Sequence, residues 1–100
     1  MAREVSIVDR ILAYINNMPN GVAEKVQGTA LSSGKADINA CISGRSIRLE
    51  VKTDDNGNKA SKKQKINLRR WSSAGAVCGV VYSLDEVKEL FKNNNVHIED

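Results

Sequence analysis

Two short segments of alternating polarity meet at Ser43-Gly44, and this pattern constrains the fold more than any other part of the chain. Residues 36–42 read Ala-Asp-Ile-Asn-Ala-Cys-Ile, which puts Ile38, Ala40 and Ile42 on one parity. Ile47, Leu49 and Val51 form the matching apolar parity of the second segment. Side chains alternate faces along a strand, so Arg48, Glu50 and Lys52 point the other way. If Ser43-Gly44 is a two-residue hairpin loop, Ile42 faces Arg45 and Asp37 faces Glu50. A longer loop of even residue count keeps this parity. An odd count moves Asp37 to the opposite parity unless a bulge restores it.

Under the two-residue reading, one sheet face carries Asp37, Glu50 and Lys52 together. Directly opposed carboxylates repel each other. A divalent cation bound between them removes that repulsion. Magnesium or manganese suits carboxylate oxygens, and magnesium retains several waters. The backbone carbonyl of Val51, between Glu50 and Lys52, offers a further metal ligand. Lys52 can orient an attacking water or offset charge on a phosphate. These residue types at this spacing point to metal-dependent phosphodiester hydrolysis. The bland alternative is a charged sheet face with a solvated lysine.

The distribution of charge favours a polyanionic partner. The formal net charge is +3. Residues 1–34 balance, residues 35–70 carry ten basic groups against four acidic ones, and residues 71–100 carry two against five. The positive segment surrounds the hairpin, which suits DNA. Lys35, Lys62, Lys63, Lys65 and Arg69 are the candidate backbone contacts, with Arg45, Lys59 and Arg70 as further cations. Lys62 and Lys63, at a helix start, are the preferred phosphate contacts. Such cations neutralise phosphate without reading bases.

The remaining pattern gives helix, three strands, helix, strand, helix. An amphipathic helix is expected over 5–18, with Val5, Val8, Leu12 and Ile15 on its apolar stripe and Ile7 and Ile11 beside them. Met18-Pro19-Asn20-Gly21 ends it. A first strand is expected over 23–28. Ser61, with Gln64 three residues on, forms a capping-box pattern that opens a helix to about Ser73. Ile66 and either Leu68 or the stems of Arg69 and Arg70 should face inward, and Ala74-Gly75 stops the helix. A buried strand follows over 76–82, where Gly79 allows close packing. The last helix starts at Ser83 or Asp85, with Leu84, Val87, Leu90 and Phe91 on its apolar face. Residues 93–100 read as a polar tail with a short strand over 96–98. The simplest architecture is α/β, a mixed sheet of about four strands flanked by helices in one domain over 1–100.

Cys41 and Cys78 fall in apolar segments and are expected to be buried free thiols. Trp71 is expected to anchor a core or a dimer interface, with base stacking as the alternative. His97 is a lone histidine in the polar tail without metal-binding spacing, and it is expected to have no acid partner nearby. No apolar run is long enough to span a membrane. Charges at Arg3, Glu4, Asp9 and Arg10 are unlike a secretory signal. An intracellular location is therefore the default, the cytoplasm of a bacterial cell for a viral or bacterial chain.

These motifs together resemble the VRR-NUC family of the PD-(D/E)xK nuclease superfamily. The resemblance is carried by Gly34-Lys35-Ala36-Asp37, the hairpin through Ser43-Gly44, Leu49-Glu50-Val51-Lys52-Thr53, and Ser61-x-x-Gln64-Lys65. The run Ala74-Gly75-Ala76-Val77-Cys78-Gly79-Val80-Val81-Tyr82-Ser83-Leu84-Asp85-Glu86 is similar to the family's last strand and helix. The resemblance covers nearly the whole chain. It implies a restriction-endonuclease-like core. It also implies that Asp37 and Glu50 bind magnesium or manganese, that Lys52 supports catalysis, and that Gln64 lies near the active site. A glutamate in the first helix often completes the acidic set in this family; Glu4 is its best match, and Glu24 is a weaker substitute. The family commonly has proline before the aspartate, where this chain has Ala36; that proline shapes the strand but supplies no ligand. Stand-alone viral and bacterial members resemble Holliday junction resolvases, act as homodimers and cut branched DNA. The competing functional classes are a nuclease without structural preference, a DNA-binding module without catalysis, and a small structural partner protein.

Overall fold

The structure is a computed structural model and describes residues 6–26, 37–52 and 62–99. Its elements follow the expected order: α1 (Ile7–Asn16), β1 (Gly21–Lys25), β2 (Ile38–Ile42), β3 (Arg45–Val51), α2 (Lys62–Ser73), β4 (Val77–Val81) and α3 (Leu84–Asn93). The four strands form one mixed sheet in the order β1-β2-β3-β4. The β1–β2 and β2–β3 pairs are antiparallel, and β3–β4 is parallel across the α2 crossover. No helix among the described residues is long and apolar enough to cross a membrane.

The hairpin turn sets the register. Ser43 and Gly44 both have positive φ, 51° and 82°, the combination that a two-residue type I′ turn requires. Ile42 pairs with Arg45 and Ile38 with Leu49, as the alternation predicts. A non-glycine residue at positive φ is strained, and Ser43 is held there by non-local bonds. Its N–H donates to the Asn20 carbonyl at 3.0 Å. Its hydroxyl accepts from the Asn20 amide and donates to the His97 carbonyl.

The apolar parity makes the core. Ile38, Ala40, Ile42, Ile47, Leu49, Val51, Val77 and Val81 bury against Ile11 and Ile15 of α1 and Val87 and Phe91 of α3. Helix α1 starts inside the expected span, because the Ser6 hydroxyl caps the Asp9 N–H at 3.1 Å; Val5 lies outside the described residues. Strand β1 begins two residues earlier than expected, directly below α1. A Cβ on Gly21 would lie 2.8 Å from the Ile15 carbonyl oxygen, so glycine permits that approach. Gly79 plays the expected role, since a Cβ there would meet Leu90 at 2.9 Å.

Helix α2 packs on the other face of the sheet, against β3 and β4, with Leu68 buried beneath it. Ile66 departs from expectation: it is 52% exposed, because the helix turns Gln64, Leu68 and Trp71 toward the sheet instead. Gly75, at φ 107°, ends α2 as its sequence indicates. Ser83, rather than Asp85, caps α3 by accepting from the Glu86 N–H, while the Glu86 carboxylate accepts from the Tyr82 N–H. The expected cap Ser61 lies outside the described residues.

Two expectations about the tail and the thiols are corrected. Residues 96–98 form no strand. They are tied down by side chains instead: Asn20 donates to the His97 carbonyl at 2.7 Å and accepts from the Glu99 N–H at 3.1 Å. Arg45 donates to the Asn94 carbonyl at 3.0 Å, and Val96 is buried. Cys41 and Cys78 are free, as expected, but Cys41 is exposed and Cys78 half-buried. Both sit on the parity opposite to the core. The apolar flanks of their segments belong to that other parity, so neighbouring hydrophobicity did not report their burial.

Candidate active site

Strand β3 is interior to the sheet, and its polar parity lies beneath α2. This places Glu50 where an acidic side chain is rarely found. Glu50 is 1% exposed. Its Oε2 accepts from Gln64 Nε2 at 2.7 Å and lies 3.2 Å from Lys52 Nζ. Among the described residues, its Oε1 is buried with no hydrogen-bond partner. Burial is the main reason that the Glu50 carboxyl is raised from its ordinary value of 4.5 to about 7; the nearby Asp37 charge raises it further, and Lys52 opposes both.

Asp37 enters β2 one position before the Ile38–Leu49 pair, hence opposite Glu50. Two backbone bonds fix it. Its carbonyl accepts from the Val26 N–H at 2.8 Å, which ties it to the end of β1. Its Oδ2 accepts from the Val51 N–H at 2.9 Å, which ties the carboxylate to β3. Lys52 is anchored through its own N–H to the Val81 carbonyl at 2.9 Å. Its side chain is 17% exposed, so the ammonium sits at the rim of the buried cluster. The structure thus brings together Asp37, Glu50, Lys52 and Gln64, with the Val51 backbone between them.

Among the described residues, no group of three or more His, Cys, Asp or Glu side chains is placed to hold a metal ion. The donor set that is present is two carboxylates, and it suits a hard cation that keeps its own waters. An unpartnered buried carboxylate oxygen is expensive, and a cation beside Glu50 Oε1 would satisfy it. A magnesium or manganese ion there would be held by the Asp37 and Glu50 carboxylates, with the Val51 carbonyl as the further donor expected from the sequence. Glu4 and Lys35 lie outside the described residues.

Lys62, Lys63, Lys65 and Arg69 are exposed along α2, available to a polyanion. Trp71 is 39% exposed rather than buried in a core. Its ring carries the Arg48 guanidinium at 3.9 Å from its centroid. Sequence parity put Arg48 on the site's face but gave it no role. The stacking partner comes from α2, 23 positions later in the chain, and no local pattern announces that contact. The expectation that His97 lacks a nearby acidic partner is corrected: it lies 3.8 Å from exposed Glu99, two residues on. Comparison with family models, curated proteins and solved structures returns no match for this chain.

Proposed function

We propose that this chain is a divalent-metal-dependent endodeoxyribonuclease with a restriction-endonuclease-like core of the VRR-NUC type. Its substrate would be branched DNA such as Holliday junctions, cut by a homodimer in the cell interior. The observation that carries the chemistry is the buried cluster of Asp37, Glu50, Lys52 and Gln64 with an unpartnered carboxylate oxygen at Glu50. Burying Glu50 beside a second carboxylate carries a desolvation and repulsion cost that a solvated sheet face would not incur.

Hydrolysis forms a bond from a water oxygen to phosphorus and breaks the bond from phosphorus to one ester oxygen, which leaves and takes up a proton. Magnesium or manganese held by Asp37, Glu50 and the Val51 carbonyl would neutralise phosphate charge and acidify water. Gln64 fixes the orientation of the Glu50 carboxylate through Oε2. Lys52 neutralises that same oxygen and, at the cluster's rim, presents an ammionium to the phosphoryl oxygens as their charge grows. The Val51 N–H holds Asp37 by one oxygen and keeps the two carboxylates opposed. Lys62, Lys63, Lys65 and Arg69 of α2 supply phosphate neutralisation beyond the reacting group.

The test is cleavage of a labelled four-way junction beside a matched linear duplex, with magnesium or manganese, by wild type and Lys52→Ala. The expected result is metal-dependent cutting of the junction, reduced roughly 100-fold in the variant. Equal cutting of both substrates would keep the chemistry and remove the junction preference. DNA binding without cleavage would make the chain a binding module.

A further inference from the structure

The face of the sheet that carries the acidic pair is covered by α2 only over β3 and β4. Over β1 and β2 the described residues leave a groove of about 430 Å³, lined among others by Val22, Glu24, Asn39, Cys41, Ser46 and Arg48. This volume falls within the range of small-ligand clefts, roughly 300–1,000 Å³. Val22 on its floor is 59% exposed. The strand register orders this face in rungs. Glu24, Asn39, Arg48 and Cys78 form one rung, and Val22, Cys41 and Ser46 form the next. Asp37 and Glu50 form the rung on the other side of Arg48. The groove therefore ends one rung from the acidic pair, with Arg48 and Asn39 each two residues from it.

Arg48 is the cation at that junction. Its guanidinium stacks on Trp71 at 3.9 Å and gives one Nη1 hydrogen bond, 3.1 Å long, to the Ile47 carbonyl. Among the described residues no carboxylate lies within ion-pair distance of it. A guanidinium has five N–H donors in a fixed plane. A half-buried one that is oriented by an indole and has no anionic partner among the described residues is suited to receive an anion. Glu24 stands at the far end of the same rung, so positive charge is confined to the α2 side of the groove. One rung is roughly 7 Å along a strand, comparable with the spacing of neighbouring phosphates on an extended nucleic-acid strand.

We propose that Arg48, held against Trp71, binds the phosphate next to the scissile one, and that the groove over β1 and β2 receives the DNA strand leading away from the acidic pair. This rests on the nuclease reading of the same site. Arg48 is a substrate-binding residue in this assignment, and Trp71 positions it. The strand would lie on the sheet, with its backbone toward α2 and its bases over Val22 and Cys41.

The test is anisotropy of a labelled four-way junction and a labelled duplex in EDTA, titrated between about 50 and 200 mM salt. Wild type is compared with Arg48→Ala, Arg48→Lys, Trp71→Phe and Trp71→Leu, and the melting temperature of each is recorded. Arg48→Ala should weaken binding about 10-fold and flatten the salt slope by about one charge. Arg48→Lys should restore the slope and part of the affinity. Trp71→Phe should stay near wild type, and Trp71→Leu should weaken binding with the slope kept. Unchanged affinity and slope in Arg48→Ala, or a lowered melting temperature as its only effect, would overturn the assignment. Wild-type junction cleavage in the same preparation would then leave the nuclease reading intact. Wild type that binds no DNA would overturn both.

Discussion

Glu50 is the residue on which stability and the proposed activity pull apart. Its carboxyl is raised from 4.5 to about 7, first by burial and then by Asp37, against the opposing effect of Lys52. An acid whose folded-state pKa exceeds its unfolded value holds more protons when folded throughout the interval between the two. Its contribution to stability is therefore full at low pH and is lost as pH rises from about 4.5 to about 7. In EDTA, the melting temperature of Glu50→Gln minus that of wild type should grow across this interval and level off above it. The gain should reach several degrees. A flat difference from pH 4 to 8 would show that the carboxyl titrates normally. The same substitution should abolish metal-dependent cleavage, because the amide replaces a charged oxygen donor. Asp37 and Glu50 were legible in the sequence because strand parity and turn length fix which side chains oppose. The depth of Glu50 was not legible, because it arises from α2, whose Gln64 reaches back 14 positions to close over it.

At the scale of elements, α2 decides whether the site exists as a cluster. It brings Gln64 to Glu50 and Trp71 to Arg48, and Leu68 is its buried apolar anchor. Leu68→Ala should destabilise by about 2 kcal/mol, a fall in melting temperature of roughly 8–16 °C. Ile66→Ala, at an exposed position of the same helix, should stay within about 0.5 kcal/mol. Chemical denaturation of the two variants checks this. An Ile66 effect larger than that of Leu68 would mean that the helix presents a different face. The pattern of this helix did not separate the two positions. It is rich in lysine and arginine, and two apolar residues two positions apart cannot both face the sheet. The hairpin's alternation was readable from its period of two, while its register depended on the loop length, which the positive φ of Ser43 and Gly44 sets at two residues.

For the whole molecule, the basic charge gathers in residues 35–70 and the acidic excess in residues 71–100. The exposed α2 cations and the sheet face thus lie on the positive part of the chain. A symmetric cut of a branched substrate needs two sites, so the proposal requires a homodimer. Sedimentation at micromolar concentration should give twice the 10.9 kDa chain mass. A monomer that still resolves junctions would remove the dimer from the mechanism. The tail shows where reading along the chain stops. Val96 and Ile98 look like a short strand, yet Asn20, Arg45 and the buried seat of Val96 hold this segment without strand pairing.

The sequence by itself determined the order of elements, the alternation of the two hairpin segments and the shared parity of Glu50 and Lys52, because each follows from local periodicity; the two-residue turn that brings Asp37 opposite Glu50 is set by the fold. Only the tertiary structure decided that Glu50 is buried with one oxygen unpartnered, that Arg48 rests on Trp71, and that the tail is laced to Asn20. Those outcomes depend on which surfaces meet across many intervening residues. Burial and orientation are properties of that meeting, and no single segment carries them.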